Sequence, residues 1–245
     1  MIIFANDVVG LKILQYLKKK DYDNIEKIVV IKKSNQINDY VNINYKDKVL
    51  YWKKSNQLKL ISILKKTKSK VIFLAWWPFI LDKEFLNIKQ YVLNTHPSYL
   101  PYYKGKDPNF WSIIGGGPYG VTIHHVNSKI DSGNIAFQSS IKNIDWTYDA
   151  KKLYDQTIIQ MIFLFKKNYK FIKKLKIPSI KQNPKYNKIN YRKDMIDKSK
   201  IKLSKKMKFK DFVNLLRAKN FEPNNGIIFE DKKKLYSINI KIKKI

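Results

Sequence analysis

The sequence predicts an α/β fold: a mostly parallel sheet with helices on both faces, followed by a small C-terminal α+β unit that ends in a hairpin. Three observations carry this expectation. Short apolar runs such as Ile2–Ala5, Ile28–Ile31 and Val71–Ala75 have the length and composition of strands covered on both faces. Segments with helical spacing of apolar residues alternate with these runs, which is the order of βαβ units. Beyond residues 177–190, a polar stretch interrupted by Pro178 and Pro184, the chain becomes more basic and closes on two strand-like runs.

Taken in order, Ile2–Ala5 is the first strand. Val9–Lys20 is the first helix, with Leu11, Leu14 and Leu17 on one face and Asn6-Asp7 as capping residues. Ile28–Ile31 is the second strand, Leu58–Lys66 the second helix and Val71–Ala75 the third strand. Tyr91–Leu93 and Val121–Ile123 follow as further core strands, Asn134–Ile141 belongs to a later hairpin, and Tyr148–Tyr169 is a long amphipathic helix. This alternation is Rossmann-like, but Val8–Gly10 carries no GxGxxG, so an ordinary dinucleotide site is not expected. The expected organisation is a catalytic domain over 1–180 and an accessory or dimerisation region over 181–245. In the latter, Phe209–Lys219 reads as a helix, and Gly226–Phe229 and Leu235–Ile242 as a hairpin around Glu230–Lys234.

Composition narrows the function. The 245 residues contain no cysteine, which excludes disulfides and cysteine-based metal sites or nucleophiles and suits a reducing, cytoplasmic setting. No apolar run reaches the length of a membrane span, and Val71–Leu81 is broken by Pro78. The formal net charge of +31 invites a nucleic-acid partner. Yet only Arg192 and Arg217 are arginine, and arginine is the residue that grips phosphates and bases in a fork. Solvated lysine on exposed faces, with a general attraction for anionic substrates, is the simpler reading.

The chemistry is concentrated between residues 94 and 133. Asn94 and His96 end one apolar run, His124 ends another, and Asp131-Ser132-Gly133 follows. An amide can hold an oxyanion, an imidazole can move a proton, and a carboxylate can orient and charge-balance it, which together serve acyl transfer. Pro97 and Pro101 fix φ around His96. If 121–126 is a strand, His124 and His125 face opposite ways, so at most one of them reaches the site. Asp131-Ser132-Gly133 taken alone is an ordinary turn.

Three segments occur in the order of the folate-dependent formyltransferases. They are Asn94–Trp111, with its Tyr103-Lys104-Gly105 and Pro108, then Gly120–His125, then Asp131–Ile135. The chain resembles that family, and within it the nucleotide-sugar N-formyltransferases. The resemblance implies that Asn94, His96 and Asp131 are catalytic. It implies a folate site lined by Trp77, Pro78, Phe79, Ile80, His124 and Ser128. It also implies acceptor contacts from Ser98, Tyr103, Lys104 and Gly105. Lys104 stands where arginine is commoner, and Asp107 where many sugar-modifying members have asparagine. The implied donor is 10-formyltetrahydrofolate, with no metal. The implied acceptor is a nucleotide-linked amino sugar, dTDP-linked above all, for surface polysaccharide such as lipopolysaccharide O-antigen. A homodimer through the C-terminal strands is expected, and neither membrane nor nucleic acid as a partner. A methionyl-tRNA formyltransferase-like enzyme is the alternative within the family, and a non-catalytic basic RNA-binding module the alternative outside it.

Overall fold

Runs that are apolar at every position can satisfy the hydrophobic effect only as strands covered on both faces. In the computed structural model, which describes residues 1–32, 36–221 and 226–245, they form the centre of the main sheet. The first half of the chain runs β1 (Ile2–Ala5), α1 (Asp7–Lys20), β2 (Lys27–Ile31), α2 (Gln36–Asn44), β3 (Val49–Trp52), α3 (Gln57–Lys65), β4 (Val71–Ala75), α4 (Lys83–Leu86) and β5 (Tyr91–His96). It continues with β6 (Lys104–Gly105), α5 (Pro108–Gly115), β7 (Gly120–His125), β8 (Ile135–Ser140) and α6 (Ala150–Lys173). The tail adds β9 (Ile189–Asn190), α7 (Arg192–Lys198), β10 (Lys200–Ile201), α8 (Phe209–Lys219), β11 (Ile227–Asp231) and β12 (Lys234–Ile238).

The main sheet has the order β3-β2-β1-β4-β5-β7-β8. Its first five strands are parallel, whereas β7 pairs antiparallel with β5. The strands β1 and β4 are buried at every position. Helix α1 begins at Asp7, two residues before the sequence-based start. Asn6 occupies its N-cap position but forms no side-chain cap bond; the Asp7 carboxylate instead accepts from the N–H of Val8 at 2.7 Å. Asn134–Ile141, expected in a hairpin, is the outer strand β8 beside β7. Neither α2 nor β3 was expected from the sequence.

The chain divides into two compact units. The first comprises Met1–His96, Thr122–Gln138 and Met161–Gln182; the second comprises Pro97–Val121, Ser139–Gln160 and Asn183–Ile245. In the first, Phe4 packs edge-on against Trp77 and Phe85, with ring centres 5.1 and 5.8 Å away. Edge-to-face pairs of this kind add roughly 1 kcal/mol beyond the area they bury. In the second, Phe110 and Trp111 of α5 and Leu215 and Leu216 of α8 build a core with Ile227. Here β10 and β11 are parallel, β11 and β12 form the expected hairpin, and β6 pairs with β9. Among the described residues no helix is long and apolar enough to cross a membrane.

Candidate active site

The pairing of β5 with β7 assembles the first three polar groups. Its register sets Asn94 opposite His124 and His96 opposite Thr122. Side chains alternate faces along a strand, so Asn94, His96 and His124 share one face of the sheet and His125 takes the other. The Nδ2 of Asn94 lies 3.3 Å from Nε2 of His124. Asp131 completes the group: its Oδ2 is 3.4 Å from Nδ1 of His96 and its Oδ1 is 3.5 Å from Nε2 of His124. Both imidazoles are buried, and the carboxylate side chain is 14% exposed. One carboxylate thus stands between two buried imidazoles, largely sheltered from water.

Hydrogen bonding sets the tautomers. Nδ1 of His124 lies 2.8 Å from the backbone oxygen of His125, and Nε2 of His125 lies 2.8 Å from that of Pro178. A carbonyl can only accept, so each of these nitrogens carries a proton. In its neutral form His124 therefore offers the Nε2 lone pair to the Asn94 amide. A proton arriving at Nε2 would meet Asp131. The sequence placed His124 with the expected folate-binding residues; the geometry brings it to Asn94 and Asp131.

The turn that carries Asp131 is held by close approach. Asp131 sits in the left-handed region at φ 46°, a conformation aspartate tolerates better than most residues. A Cβ added to Gly133 would lie 1.7 Å from the His125 carbonyl oxygen, so only glycine fits there. The N–H of His125 donates to the Asn134 carbonyl at 2.8 Å and pins the end of the turn to β7.

The expected folate residues lie just past β4. Trp76 is left-handed at φ 57°, and its N–H donates to Oγ1 of Thr95, which itself donates to the Leu74 carbonyl. That hydroxyl ties the end of β4 to the strand bearing Asn94 and His96. Trp77 turns inward and is buried against Phe4 and Trp52, so it belongs to the core. Pro78, Phe79 and Ile80 are exposed, and Phe79 stacks on Trp52 with ring centres 4.3 Å apart. The indole N–H groups of Trp52 and Trp77 are buried without a partner. An aromatic wall with unmatched donors behind it suits a flat, acceptor-rich heterocycle such as a pterin. Ser128 is exposed on the loop between β7 and Asp131. Sequence reasoning missed Thr95 and Trp52. The first lies inside the recognised run, but nothing in that run marks its hydroxyl, and the second lies on the unforeseen β3.

The four expected acceptor residues belong to the second unit and are each engaged there. Ser98 donates to the Tyr102 carbonyl at 2.7 Å. The Tyr103 hydroxyl donates to the Gly117 carbonyl, and burial pushes its pKa up to about 12. Lys104 is buried, with its ammonium 3.1 Å from Oδ1 of Asn187. Gly105 has φ +90°, and a Cβ there would come within 2.2 Å of the Asn190 carbonyl oxygen. Asp107 receives both ends of the Arg192 fork, at 2.7 and 3.2 Å. The same unit carries an open cleft of about 350 Å³ whose lining includes Tyr102, Tyr103, Trp111, Tyr186 and Lys188. Lys188 lies over the Trp111 ring, whose N–H is buried without a partner. Among the described residues no group of three or more His, Cys, Asp or Glu is arranged to hold a metal ion.

Comparison with known proteins decides the family. The formyl transferase domain matches residues 10–160, well over half of the chain, and the N-formyltransferase dimerization C-terminal domain matches residues 194–244. The chain belongs to the formyl transferase family. It is 35% identical over 176 residues to the bifunctional polymyxin resistance protein ArnA of Wigglesworthia glossinidia brevipalpis. That match covers 70% of this chain but spans only 26% of the relative's length. In structure it is similar to a 4-N formyltransferase from Francisella tularensis, with a TM-score of 0.83, 21% identity, and coverage of 100% of this chain and 98% of that one. It is also similar to an N-formyltransferase from Helicobacter canadensis in complex with folinic acid and dTDP-3-aminofucose, with a TM-score of 0.71 and 22% identity. There the coverage is 95% of this chain and 84% of the other. These two likenesses bear out the expected fold, a mostly parallel Rossmann-like sheet with a small C-terminal unit.

Proposed function

We propose that this formyl transferase family member moves a formyl group from 10-formyltetrahydrofolate to the primary amine of a nucleotide-linked amino-deoxy sugar. The observation that carries the reading is the buried cluster of Asn94, His96, His124 and Asp131, drawn together by strand register and one glycine-dependent turn. The donor supplies a formyl carbonyl open to attack by a neutral amine. The amide of Asn94 and the imidazole of His96 hold the negative charge that grows on the carbonyl oxygen, and a donor of this kind is worth about 3 kcal/mol. Asp131, shared between two imidazoles, takes the proton the amine must lose. It returns that proton to the folate nitrogen as the bond to the formyl carbon breaks, so the transfer leaves no net charge behind.

Support for a nucleotide-linked acceptor comes from the aromatic cleft of the second unit, where flat rings and a rim lysine suit a base and its diphosphate. The complex of the Helicobacter canadensis neighbour with folinic acid and dTDP-3-aminofucose points the same way. The preferred acceptor is dTDP-linked and destined for surface polysaccharide, and the setting is the cytoplasm. The protein acts as a homodimer through its C-terminal sheet, where Leu235 is 72% exposed and Tyr236 stacks on Phe229.

The test is a mass-spectrometric assay with 10-formyltetrahydrofolate, a panel of dTDP- and UDP-linked amino sugars, and initiator methionyl-tRNA. One formyl group gained by a single sugar nucleotide is the expected result. Formylation of the tRNA alone would overturn the acceptor, and tight RNA binding without any transfer would overturn catalysis. Paired Leu235→Glu and Tyr236→Glu substitutions should halve the sedimenting mass; an unchanged mass would remove the dimer.

A further inference from the structure

The segment after α6 has the composition of a linker, yet in the structure Pro178–Gln182 runs along the turn that carries Asp131. Ile180 exchanges both backbone hydrogen bonds with Ile135, at 2.8 and 2.9 Å. Asn134 donates to the Ser179 hydroxyl at 2.9 Å, and Nε2 of His125 donates to the Pro178 carbonyl. At the end of this strap the amide nitrogen of Gln182 donates to two carbonyls of the turn, those of Asp131 at 2.8 Å and Gly133 at 2.7 Å.

We propose that Gln182 is a positioning residue for the transfer reaction: its amide fixes the Asp131–Gly133 turn and so sets the carboxylate between His96 and His124. A single NH2 group has two protons, and here each serves one carbonyl. The other end of the amide, Oε1, is buried without a partner, so the donor end is what this position uses. Neutrality also matters. Lysine is the commonest polar residue of this chain and occupies position 181 beside it. An ammonium at 182 could bind the same carbonyls, but it would bring a permanent charge to the turn whose carboxylate serves the two imidazoles. The turn needs fastening because Asp131 is left-handed while Gly133 is pressed against His125, a geometry that relaxes unless its surroundings hold it.

This inference rests on the reading of Asp131 as catalytic, and the experiment separates the two. Gln182→Met and Gln182→Glu keep the side-chain length and remove both N–H groups. Each is compared with the parent and with Asp131→Asn for kcat, for KM of donor and acceptor, and for thermal unfolding. The imidazole 15N signals are recorded alongside; the chain's three histidines are His96, His124 and His125, so the spectra are simple. The expected result is a folded protein with kcat lower by about tenfold to a hundredfold and KM values within about twofold. The His96 and His124 signals should move, and adding Gln182→Met to Asp131→Asn should cause no further loss. Parent-like kcat or unmoved imidazole signals in both variants would overturn the proposal. Failure of both to fold would overturn it too, by making the strap a folding element. Parent-like turnover by Asp131→Asn would instead overturn the catalytic reading beneath it.

Discussion

In the first unit, Asn94, His96, His124 and Asp131 turn toward one another, and His124 is also held by its bond to the His125 carbonyl. The residues of the second unit from Ser98 to Asp107 are equally polar, yet each is tied to a neighbouring loop or strand: Ser98 to Tyr102, Lys104 to Asn187, Gly105 against Asn190, Asp107 to Arg192. Asn94 and His96 lie in the same recognisable run as Ser98 to Asp107. On the catalytic reading proposed above, a signature mixes residues that do chemistry with residues that also build the frame, and hydrogen-bond partners show which side chains carry that second duty.

Substitution should expose this difference, and the largest effect is expected at His96. Replacing it with Ala should lower kcat about a thousandfold, within the range typical of a lost acid–base group. Unfolding followed in urea should show only the loss expected for truncating a buried side chain, about 1–3 kcal/mol. Next comes Asn94→Ala, which should remove a few hundredfold in kcat, about 3 kcal/mol of oxyanion stabilisation. Gly105→Ala should act on the other side of the comparison. With φ at +90° and the Asn190 carbonyl in the way, it should lower unfolding free energy by about 2 kcal/mol. A change in acceptor KM with stability intact would break the comparison and make this loop a binding element.

Lys104→Met should lose about 1 kcal/mol of stability through the missing bond to Asn187. The smallest effect is expected at Asp21, whose carboxylate accepts from Lys173 at 2.8 Å and from the Tyr169 hydroxyl at 2.5 Å. Burial pushes its pKa up, but these two bonds outweigh burial and hold it below the ordinary value. A depressed carboxylate stabilises the fold above its unfolded pKa of 3.8, and the contribution disappears as pH falls through the lower folded value. Asp21→Asn should therefore cost roughly 0.5 kcal/mol at neutral pH, since Lys173 is half exposed and screened, and close to nothing in strong acid.

Much of the fold was legible because β1, β2, β4, β5 and β7 are dense in apolar residues over lengths that suit strands. β3 was not foreseen, although Val49–Trp52 is as apolar as β1: it is a half-buried edge strand set closely between Lys46-Asp47-Lys48 and Lys53-Lys54. The site was legible in its residues but not in its assembly. Asn94, His96 and His124 do lie toward the C-terminal ends of β5 and β7; what the sequence hid is that β7 runs antiparallel, so that His124 meets Asn94 through cross-strand register. Gln182 was invisible because it meets the Asp131 turn across about fifty residues of chain, from a stretch whose composition says only that a helix has ended.

Both arginines are internally committed. Arg217 is buried and donates to the carbonyls of Asp145 and Tyr148 and to Asn214, while Arg192 grips Asp107. Apart from Arg192, which is exposed but paired, the positive charge facing solvent is that of lysine ammoniums, strongly hydrated points with no preferred direction. Such a surface acts at long range and without discrimination: it raises the local concentration of any polyanion and guides its approach, while leaving orientation to other groups. Encounter with an anionic substrate should accordingly slow as salt shortens the Debye length from about 10 Å at 0.1 M to about 3 Å at 1 M, with the chemical step unaltered.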